Sequence, residues 1–217
     1  MYLPSARTES LARQTNASTL VRTRRAVSNE RIRGERKGSF PMSQFYTADQ
    51  AALQQWFFAV DTDRSGAVNA AELQKAMAQG GLNFSMKLVS SMIRMYDADR
   101  TAQLSMQQFI ELHHFLVKVQ GVFSAADRQR TNQLDLNEIF AALQQLGYNL
   151  DRQPGGAFYT LCQSYDYDRT GAIALDSFIA MAVMIENAQK LHKAFDPTKT
   201  GRATFDFNQF IWTLALL

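Results

Sequence analysis

Residues 61–72 read DTDRSGAVNAAE, and this stretch decides the fold. Side-chain oxygens recur at its positions 1, 3, 5, 9 and 12, which are Asp61, Asp63, Ser65, Asn69 and Glu72. Gly66 lies at position 6, where a sharp turn favours a residue without a Cβ. A cation such as Ca²⁺ takes about six to eight oxygens, two of them from a bidentate carboxylate such as Glu72. The stretch therefore predicts a Ca²⁺-binding loop, to which Ala67 adds its backbone carbonyl at position 7.

Helical patterns flank this loop on both sides. Before it, Thr47 and Gln50 form a capping-box pattern ahead of apolar residues at helical spacing, namely Leu53, Trp56, Phe57 and Val60. After it, a second apolar stripe runs to the Gly80-Gly81 pair, which is typical of a helix end. An acidic surface turn would not need these flanks, so the pattern predicts an EF-hand, a helix–loop–helix metal site.

Four further stretches repeat the loop in the same register. They are residues 97–108, 127–138, 166–177 and 196–207. Each follows an apolar or aromatic helix end and carries an apolar or small residue at position 8. Five copies at matched offsets predict an all-α fold of five EF-hand units, with short β-bridges between paired loops.

The five loops differ in the side chain at position 12. Loops two, four and five carry Gln108, Ser177 and Phe207 there, so none of them offers a bidentate carboxylate. Loop three keeps oxygen ligands, but an amide side chain, Asn132, lies at its sharp turn. Its candidate ligands are Asp127, Thr131, Gln133 and Glu138. Whether loop three binds Ca²⁺ stays open.

We therefore place the metal site in loop one. Its predicted ligands are Asp61, Asp63, Ser65, Ala67 and Glu72. The expected ion is Ca²⁺, with Mg²⁺ as a competitor because both prefer oxygen ligands.

Two spacings between loops predict long helices that successive hands share. Loops two and three, like loops four and five, begin 30 residues apart and have no proline between them. Ser105 and Gln108 form a capping box at the start of the first of these helices, which runs to Asp127. The second extends from Asp176 to Phe195.

Charge divides the chain into two parts. Residues 1–40 hold nine Arg or Lys and three Glu, a net +6, whereas residues 41–217 hold fourteen basic and seventeen acidic side chains, a net −3. The basic part has few large apolar side chains, so we expect a disordered tail at 1–40 and a folded domain at 41–217. The folded part is mildly acidic, and no nucleic-acid partner is expected.

The remaining features do not favour catalysis or a membrane span. Cys162 is the single cysteine, and His113 and His114 lie without acidic or cysteine neighbours at ligand spacing. No glycine-rich phosphate loop and no apolar run of about 20 residues occurs. We therefore expect a protein that is not an enzyme and is cytoplasmic.

The five-hand pattern resembles the penta-EF-hand family, which includes sorcin, grancalcin, peflin, the calpain small subunit and the apoptosis-linked Ca²⁺ sensor. The segments that carry the resemblance are WFFAVDTDRSG (56–66), LQQLGYNL (143–150) and DFNQFIWTLALL (206–217). The match covers about residues 41–217 and is closest to the branch of the apoptosis-linked sensor and peflin. In that branch the first and third hands carry the relevant sites. The family tail is usually rich in Gly, Pro and Tyr, so its roles are not carried over to residues 1–40.

The resemblance implies a Ca²⁺ sensor or adaptor that recruits partner peptides and dimerises through residues 196–217, as a homodimer or with a related subunit. Five is an odd number, so loop five has no partner loop within the chain. An alternative function is that of a non-catalytic regulatory or scaffold subunit, like the calpain small subunit, whose hands are mostly structural.

The Arg-rich tail allows three readings. It could bind an anionic membrane surface, it could direct mitochondrial import because it is rich in Arg and Ser, or it could be a solvated tail. For the whole protein, Ca²⁺-dependent membrane association is a further expectation. Glu9, Glu30 and Glu35 argue against import.

Overall fold

The computed structural model describes residues 50–217, which fold into helix–loop–helix hands in chain order. The first hand consists of α1 (Gln50–Val60), β1 (Val68–Asn69) and α2 (Ala70–Gln79). The second consists of α3 (Met86–Arg94), β2 (Gln103–Leu104) and α4 (Met106–Ala126).

Two helices each belong to two successive hands. The third hand begins with α4 and continues with β3 (Gln133–Asp135) and α5 (Leu136–Leu146). The fourth comprises α6 (Ala157–Tyr165), β4 (Ala172–Ala174) and α7 (Leu175–Phe195), and the fifth comprises α7 and α8 (Phe207–Leu216). The predicted all-α architecture of five hands with two shared helices is thereby confirmed.

Local hydrogen bonds explain where the helices begin. The Ser105 hydroxyl accepts a bond from the Gln108 N–H, and the Gln108 side chain accepts one from the Ser105 N–H at 2.8 Å. This is the capping box that the sequence predicts for α4. Helix α2 ends at Gln79, next to the Gly80-Gly81 pair. At the second shared helix, α7 begins one residue before the predicted Asp176.

Two antiparallel strand pairs hold the loops together in twos. Val68 faces Leu104 in the pair of loops one and two, and Leu134 faces Ile173 in the pair of loops three and four. All four side chains are at most 2% exposed. The short β-bridges that the sequence predicts between paired loops are confirmed, and they join loop one to loop two and loop three to loop four. In the described chain loop five forms no strand.

Aromatic contacts mark the centre of the core. The rings of Phe123 on α4 and Phe178 on α7 lie 5.6 Å apart, and those of Phe57 on α1 and Phe109 on α4 lie 5.7 Å apart. All four side chains are buried. The two shared helices therefore form much of the shared core of the hands.

Polar contacts attach α7 to the second hand. Asn187 donates a buried hydrogen bond to the Ser91 carbonyl at 3.2 Å, and the Lys190 ammonium donates to the Met95 carbonyl at the end of α3. A cation suits that position because the last carbonyls of a helix carry partial negative charge. The second shared helix is thus fixed against the helix that enters loop two.

Some predictions fall on residues that the structure does not describe. The capping role of Thr47, the tail at 1–40 and the domain boundary at 41 lie outside the described residues and stay predictions. Across residues 50–217, none of the helices combines the length and the apolar character that a membrane span requires.

Candidate metal centre and neighbouring cleft

Three carboxylates of loop one come together in the folded chain. Ligand oxygens of Asp61, Asp63 and Glu72 all lie within 4.8 Å of one another. Asp61 and Glu72 are only 4% and 8% exposed, whereas Asp63 faces solvent. Neighbouring buried carboxylates repel one another unless a cation or hydrogen-bond donors compensate. Their chemistry therefore fits a hard divalent cation, the species that the sequence predicts here.

Glu72 links the end of the loop to its beginning. Its Oε1 accepts hydrogen bonds from the Thr62 N–H at 2.8 Å and from the Thr62 hydroxyl at 3.0 Å. Its Oε2 accepts one from the Asn69 N–H at 3.1 Å, which completes the capping box of α2. Burial raises the pKa of Glu72, but the bonds from Asn69 and Thr62 outweigh it and hold the pKa below its ordinary value. Glu72 is therefore held ionised as well as in position.

The first half of loop one is shaped by its own side chains. The Asp61 carboxylate accepts bonds from the N–H groups of Ser65 and Gly66, both at 2.9 Å. The Ser65 hydroxyl donates to the Ala67 carbonyl at 2.9 Å, so two predicted ligand oxygens lie side by side. Gly66 has φ +82°, which a side chain would disfavour. Hydrogen bonding by the Ser65 side chain holds the pKa of Asp63 below its usual range.

The same turn recurs in all five loops. The aspartate at position 1 accepts backbone N–H bonds of 2.7 to 2.9 Å from positions 5 and 6 in every loop. The hydroxyl at position 5 donates to the carbonyl at position 7 in every loop, at 2.9 to 3.4 Å. The five aspartates are Asp61, Asp97, Asp127, Asp166 and Asp196. The sequence predicts Asp61 and Asp127 as metal ligands, but it does not show these hydrogen bonds of the position-1 carboxylates.

Loop three does not gather its carboxylates as loop one does. Glu138 accepts from the Asp135 N–H at 3.0 Å and caps α5, and among the described residues no hydrogen bond joins it to the start of the loop. Asn132 occupies the sharp turn at φ +58°. Within residues 50–217, the loop-one trio is the one group of three acidic, His or Cys side chains with converging ligand atoms. The question of Ca²⁺ in loop three therefore turns on a rearrangement of Glu138.

An apolar cleft lies against the first hand. Its walls come from α1, α2 and α4, with Ile179 of α7 at one side. The lining residues include Trp56, Leu73, Ala76, Met77, Phe109 and Leu116. Both helices that flank loop one, α1 and α2, therefore contribute to the cleft.

His113 and Cys162 do not belong to the carboxylate group of loop one. His113 lines the cleft with its ring 5.5 Å from that of Trp56, and burial lowers its pKa to about 4, so it is neutral at pH 7. Cys162 is buried in α6, where burial raises the pKa of the thiol to about 11. At neutral pH that thiol is protonated, which leaves it a weak nucleophile.

Comparisons with known proteins agree with this architecture. Residues 50–112 match the family model of an EF-hand domain pair. Sorcin from Schistosoma japonicum is 32% identical over 165 residues, which cover 75% of this chain and 94% of that protein. The chain belongs to the penta-EF-hand family.

Two further matches place this penta-EF-hand chain in the branch of peflin and the programmed cell death 6 proteins. Peflin from Danio rerio is 30% identical over 159 residues, covering 72% of this chain and 58% of peflin. A solved structure of a homolog of programmed cell death 6 protein from Leishmania major Friedlin superposes with a TM-score of 0.59 at 30% identity, covering 83% of this chain and 98% of that one. The chain thus spans little more than half the length of that peflin. Membership of this EF-hand family makes the chain a calcium-binding protein.

The shared turn predicts a structural role for an aspartate that lacks metal-binding neighbours. In the variant Asp196→Ala, the N–H groups of Thr200 and Gly201 lose their acceptor, so we expect a lower midpoint of urea unfolding in chelator. Asp168→Ala removes an exposed carboxylate at position 3 of loop four and should leave the midpoint close to wild type. Equal midpoints for the two variants, measured by circular dichroism, would contradict the structural role.

Proposed function

We propose that this chain is a Ca²⁺-responsive adaptor that recruits partner peptides and dimerises through its fifth hand. One observation carries the proposal. Helices α1 and α2 flank loop one, and the same two helices line the apolar cleft. An ion in the loop and a peptide in the cleft therefore touch the same two helices.

The ion site consists of the oxygens already named in loop one. Asp61, Asp63 and Glu72 supply carboxylate oxygens, Ser65 its hydroxyl, and Ala67 its backbone carbonyl. Glu72 is the one residue at position 12 of any loop that is acidic and also bonded back to the loop's start. A Ca²⁺ ion supplies the positive charge that balances the negative charge of these clustered carboxylates.

Movement of Glu72 provides the link to the cleft. Leu73 follows it directly on α2, and Ala76 and Met77 lie one turn further along the same wall. Thr62 and Asn69 donate to Glu72 through hydrogen bonds that an incoming cation competes with. When the carboxylate turns toward the ion, α2 shifts with it and changes the width of the cleft.

The cleft lining indicates the chemistry of the peptide. Trp56 and Phe109 offer aromatic surface, and the rest of the lining is aliphatic apart from His113 and Gln120. Grooves walled by aromatic side chains suit aromatic segments, and also proline-rich segments, whose preformed polyproline II conformation loses little entropy on binding. We therefore assign a peptide of this kind as the ligand of the cleft after α2 has shifted, because the cleft holds only about 50 Å³ in this structure.

The ion site is tested by replacing one carboxylate oxygen of Glu72 with an amide nitrogen. Because a neutral amide cannot act as the bidentate ligand, Glu72→Gln should weaken the tightest Ca²⁺ site at least about tenfold from a wild-type Kd on the order of 10⁻⁷–10⁻⁵ M. Isothermal titration measures both values. The matched variant Glu138→Gln in loop three should leave the tightest site unchanged, and the reverse pattern would assign the site to loop three.

The cleft is tested by filling it. Ala76 lines the cleft on α2, whereas Ala78 on the same helix faces solvent. Ala76→Arg should abolish Ca²⁺-dependent capture of proline-rich or aromatic peptides from a display library while Ca²⁺ titration stays as in wild type. Ala78→Arg should capture the same peptides as wild type. Loss of capture in both variants, or in neither, would remove the cleft from the mechanism.

The fifth hand supports dimerisation. Loop five has no strand partner in the described chain, and one side of α8 carries Phe207, Phe210, Ile211 and Leu214, each at least 47% exposed. An apolar face beside an unpaired loop is an aggregation hazard until another surface covers it. A second chain related by a two-fold axis, or a related subunit, covers it with the same element.

The dimer is tested by placing charge on that face. Because burying an unpaired carboxylate is costly, Ile211→Asp combined with Leu214→Asp should give a monomer at micromolar concentration in chelator, where wild type sediments as a dimer. Phe58→Asp on α1, where Phe58 is 65% exposed, serves as the control and should remain dimeric. A wild-type monomer in analytical ultracentrifugation would refute the fifth-hand dimer.

A regulatory or scaffold subunit is the second candidate function. Loops two, four and five keep the shared turn but lack an acidic side chain at position 12, which favours hands that serve as packing units. A scaffold of this kind would capture the same partners in Ca²⁺ and in chelator. In either case we infer a protein without catalytic activity.

We further infer a cytoplasmic protein whose basic tail, residues 1–40, binds anionic membrane surfaces. Each basic side chain close to an acidic leaflet contributes about 1 kcal/mol, and the tail has a net charge of +6. Residues 1–40 fused to a fluorescent protein should bind vesicles that contain phosphatidylserine, but not neutral vesicles. Import of the fusion into mitochondria in cells would contradict this inference.

A further inference from the structure

Helix α8 is apolar on two opposite sides. At 100° per residue, Phe207, Phe210, Ile211 and Leu214 fall within one sector of about 100°. Trp212 and Leu216 fall on the other side and line a crevice of about 500 Å³ against the same chain. The dimer proposed above uses the first of these sides, whereas the second faces the crevice. The inner side therefore has a role that the proposed dimer does not absorb.

The crevice lies between the second hand and the end of the chain. Ile93 of α3 and Leu191 of α7 add apolar walls beside Trp212 and Leu216. Phe195 supports the Trp212 ring from 6.1 Å. The floor is held by the bond from Asn187 to the Ser91 carbonyl and the bond from Lys190 to the Met95 carbonyl. Hydrogen bonds between α7 and the second hand therefore hold together the elements that carry the apolar walls of the crevice.

Positive charge surrounds this apolar pocket. Arg94, Arg100 and Lys190 all line it. Arg94 donates to the Ser91 hydroxyl at 2.8 Å, and in the described part of the chain neither Arg94 nor Arg100 has a carboxylate within salt-bridge distance. The one acidic lining residue, Asp97, accepts bonds from the N–H groups of Thr101 and Ala102 within its own loop. The crevice thus holds an excess of cations over anions.

The crevice also holds a hydrogen-bond acceptor. Asn187 is 7% exposed and uses its Nδ2 on the Ser91 carbonyl, while its amide oxygen has no donor among residues 50–217. A side-chain carbonyl inside an apolar pocket suits a ligand that brings an N–H group. A lipid acyl chain brings none, whereas a peptide backbone does.

We propose that this crevice binds a short acidic segment of a partner protein that places one apolar side chain against Trp212 and Leu216. The segment's carboxylates meet Arg94 and Arg100, and a backbone N–H donates to Asn187 Oδ1. This ligand differs from the one assigned to the cleft at α1 and α2, which is uncharged, and its binding does not depend on Ca²⁺ in loop one.

The test uses Trp212 as its reporter. In a full-length Trp56→Phe background, Trp212 is the one remaining tryptophan, because the chain has two. A blocked pentapeptide Glu-Phe-Asp-Leu-Glu is titrated in chelator while Trp212 fluorescence is followed. Saturable change is expected, and the neutral peptide Gln-Phe-Asn-Leu-Gln should bind at least about tenfold more weakly because it lacks the charges that Arg94 and Arg100 meet.

Matched variants separate the crevice from general charge. Arg94→Gln with Arg100→Gln should weaken binding of the acidic peptide about tenfold, because two exposed cations are lost from the mouth of the crevice. Arg128→Gln with Arg130→Gln changes the net charge equally at exposed positions around loop three and should leave the affinity unchanged. Equal loss in both double variants, equal binding of both peptides, or no response of Trp212 overturns the proposal. A change in Trp212 fluorescence with phosphatidylserine vesicles but not with the acidic peptide would assign the crevice to lipid and would also overturn the proposal.

Discussion

The whole fold depends on a turn that needs no metal. In every loop the carboxylate at position 1 accepts the N–H groups of positions 5 and 6, and the hydroxyl at position 5 donates to the carbonyl at position 7. The backbone donors of a tight turn need acceptors, and this turn supplies them from within the loop. A hand can therefore lose its bidentate glutamate, as the fifth has, and still position its helices. Five hands persist although, within residues 50–217, only the first brings three carboxylates together.

What sets the first hand apart is the position of Glu72. Glu138 in loop three caps its own helix, but Glu72 both caps α2 and reaches the start of the loop at Thr62. Through this second contact the Glu72 carboxylate connects the start of the loop to the start of α2. The apolar cleft adjoins that link, whereas the crevice at Trp212 is attached to α7 and the second hand. One chain thus offers two surfaces of different chemistry, and only one of them adjoins the complete ion site.

Much of this arrangement could be predicted from the sequence because it is local. The capping box of Ser105 and Gln108 and the 30-residue spacing of loops fix the shared helix α4 without reference to other parts of the chain. The repeated loops likewise predict short β-bridges, although the pairing of Val68 with Leu104 is seen only in the structure. The role of Asp196 as an acceptor for backbone N–H groups could not be predicted, because the sequence of a loop is the same whether its position-1 carboxylate binds metal or N–H groups. The crevice could not be predicted, since Arg94 and Trp212 are 118 positions apart and meet only through tertiary packing.

The most direct test of the central claim measures whether Ca²⁺ moves α2 relative to α1. Nitroxide labels at Phe58→Cys and Ala78→Cys report that distance by pulsed electron resonance, and the buried Cys162, with a thiol pKa of about 11, does not compete for label. Labels at Ser124→Cys and Gln145→Cys report α4 and α5 of the third hand in the same way. We predict that Ca²⁺ shifts the first distance and that Glu72→Gln abolishes the shift. A first distance that is the same with Ca²⁺ and with chelator would contradict a switch in the first hand.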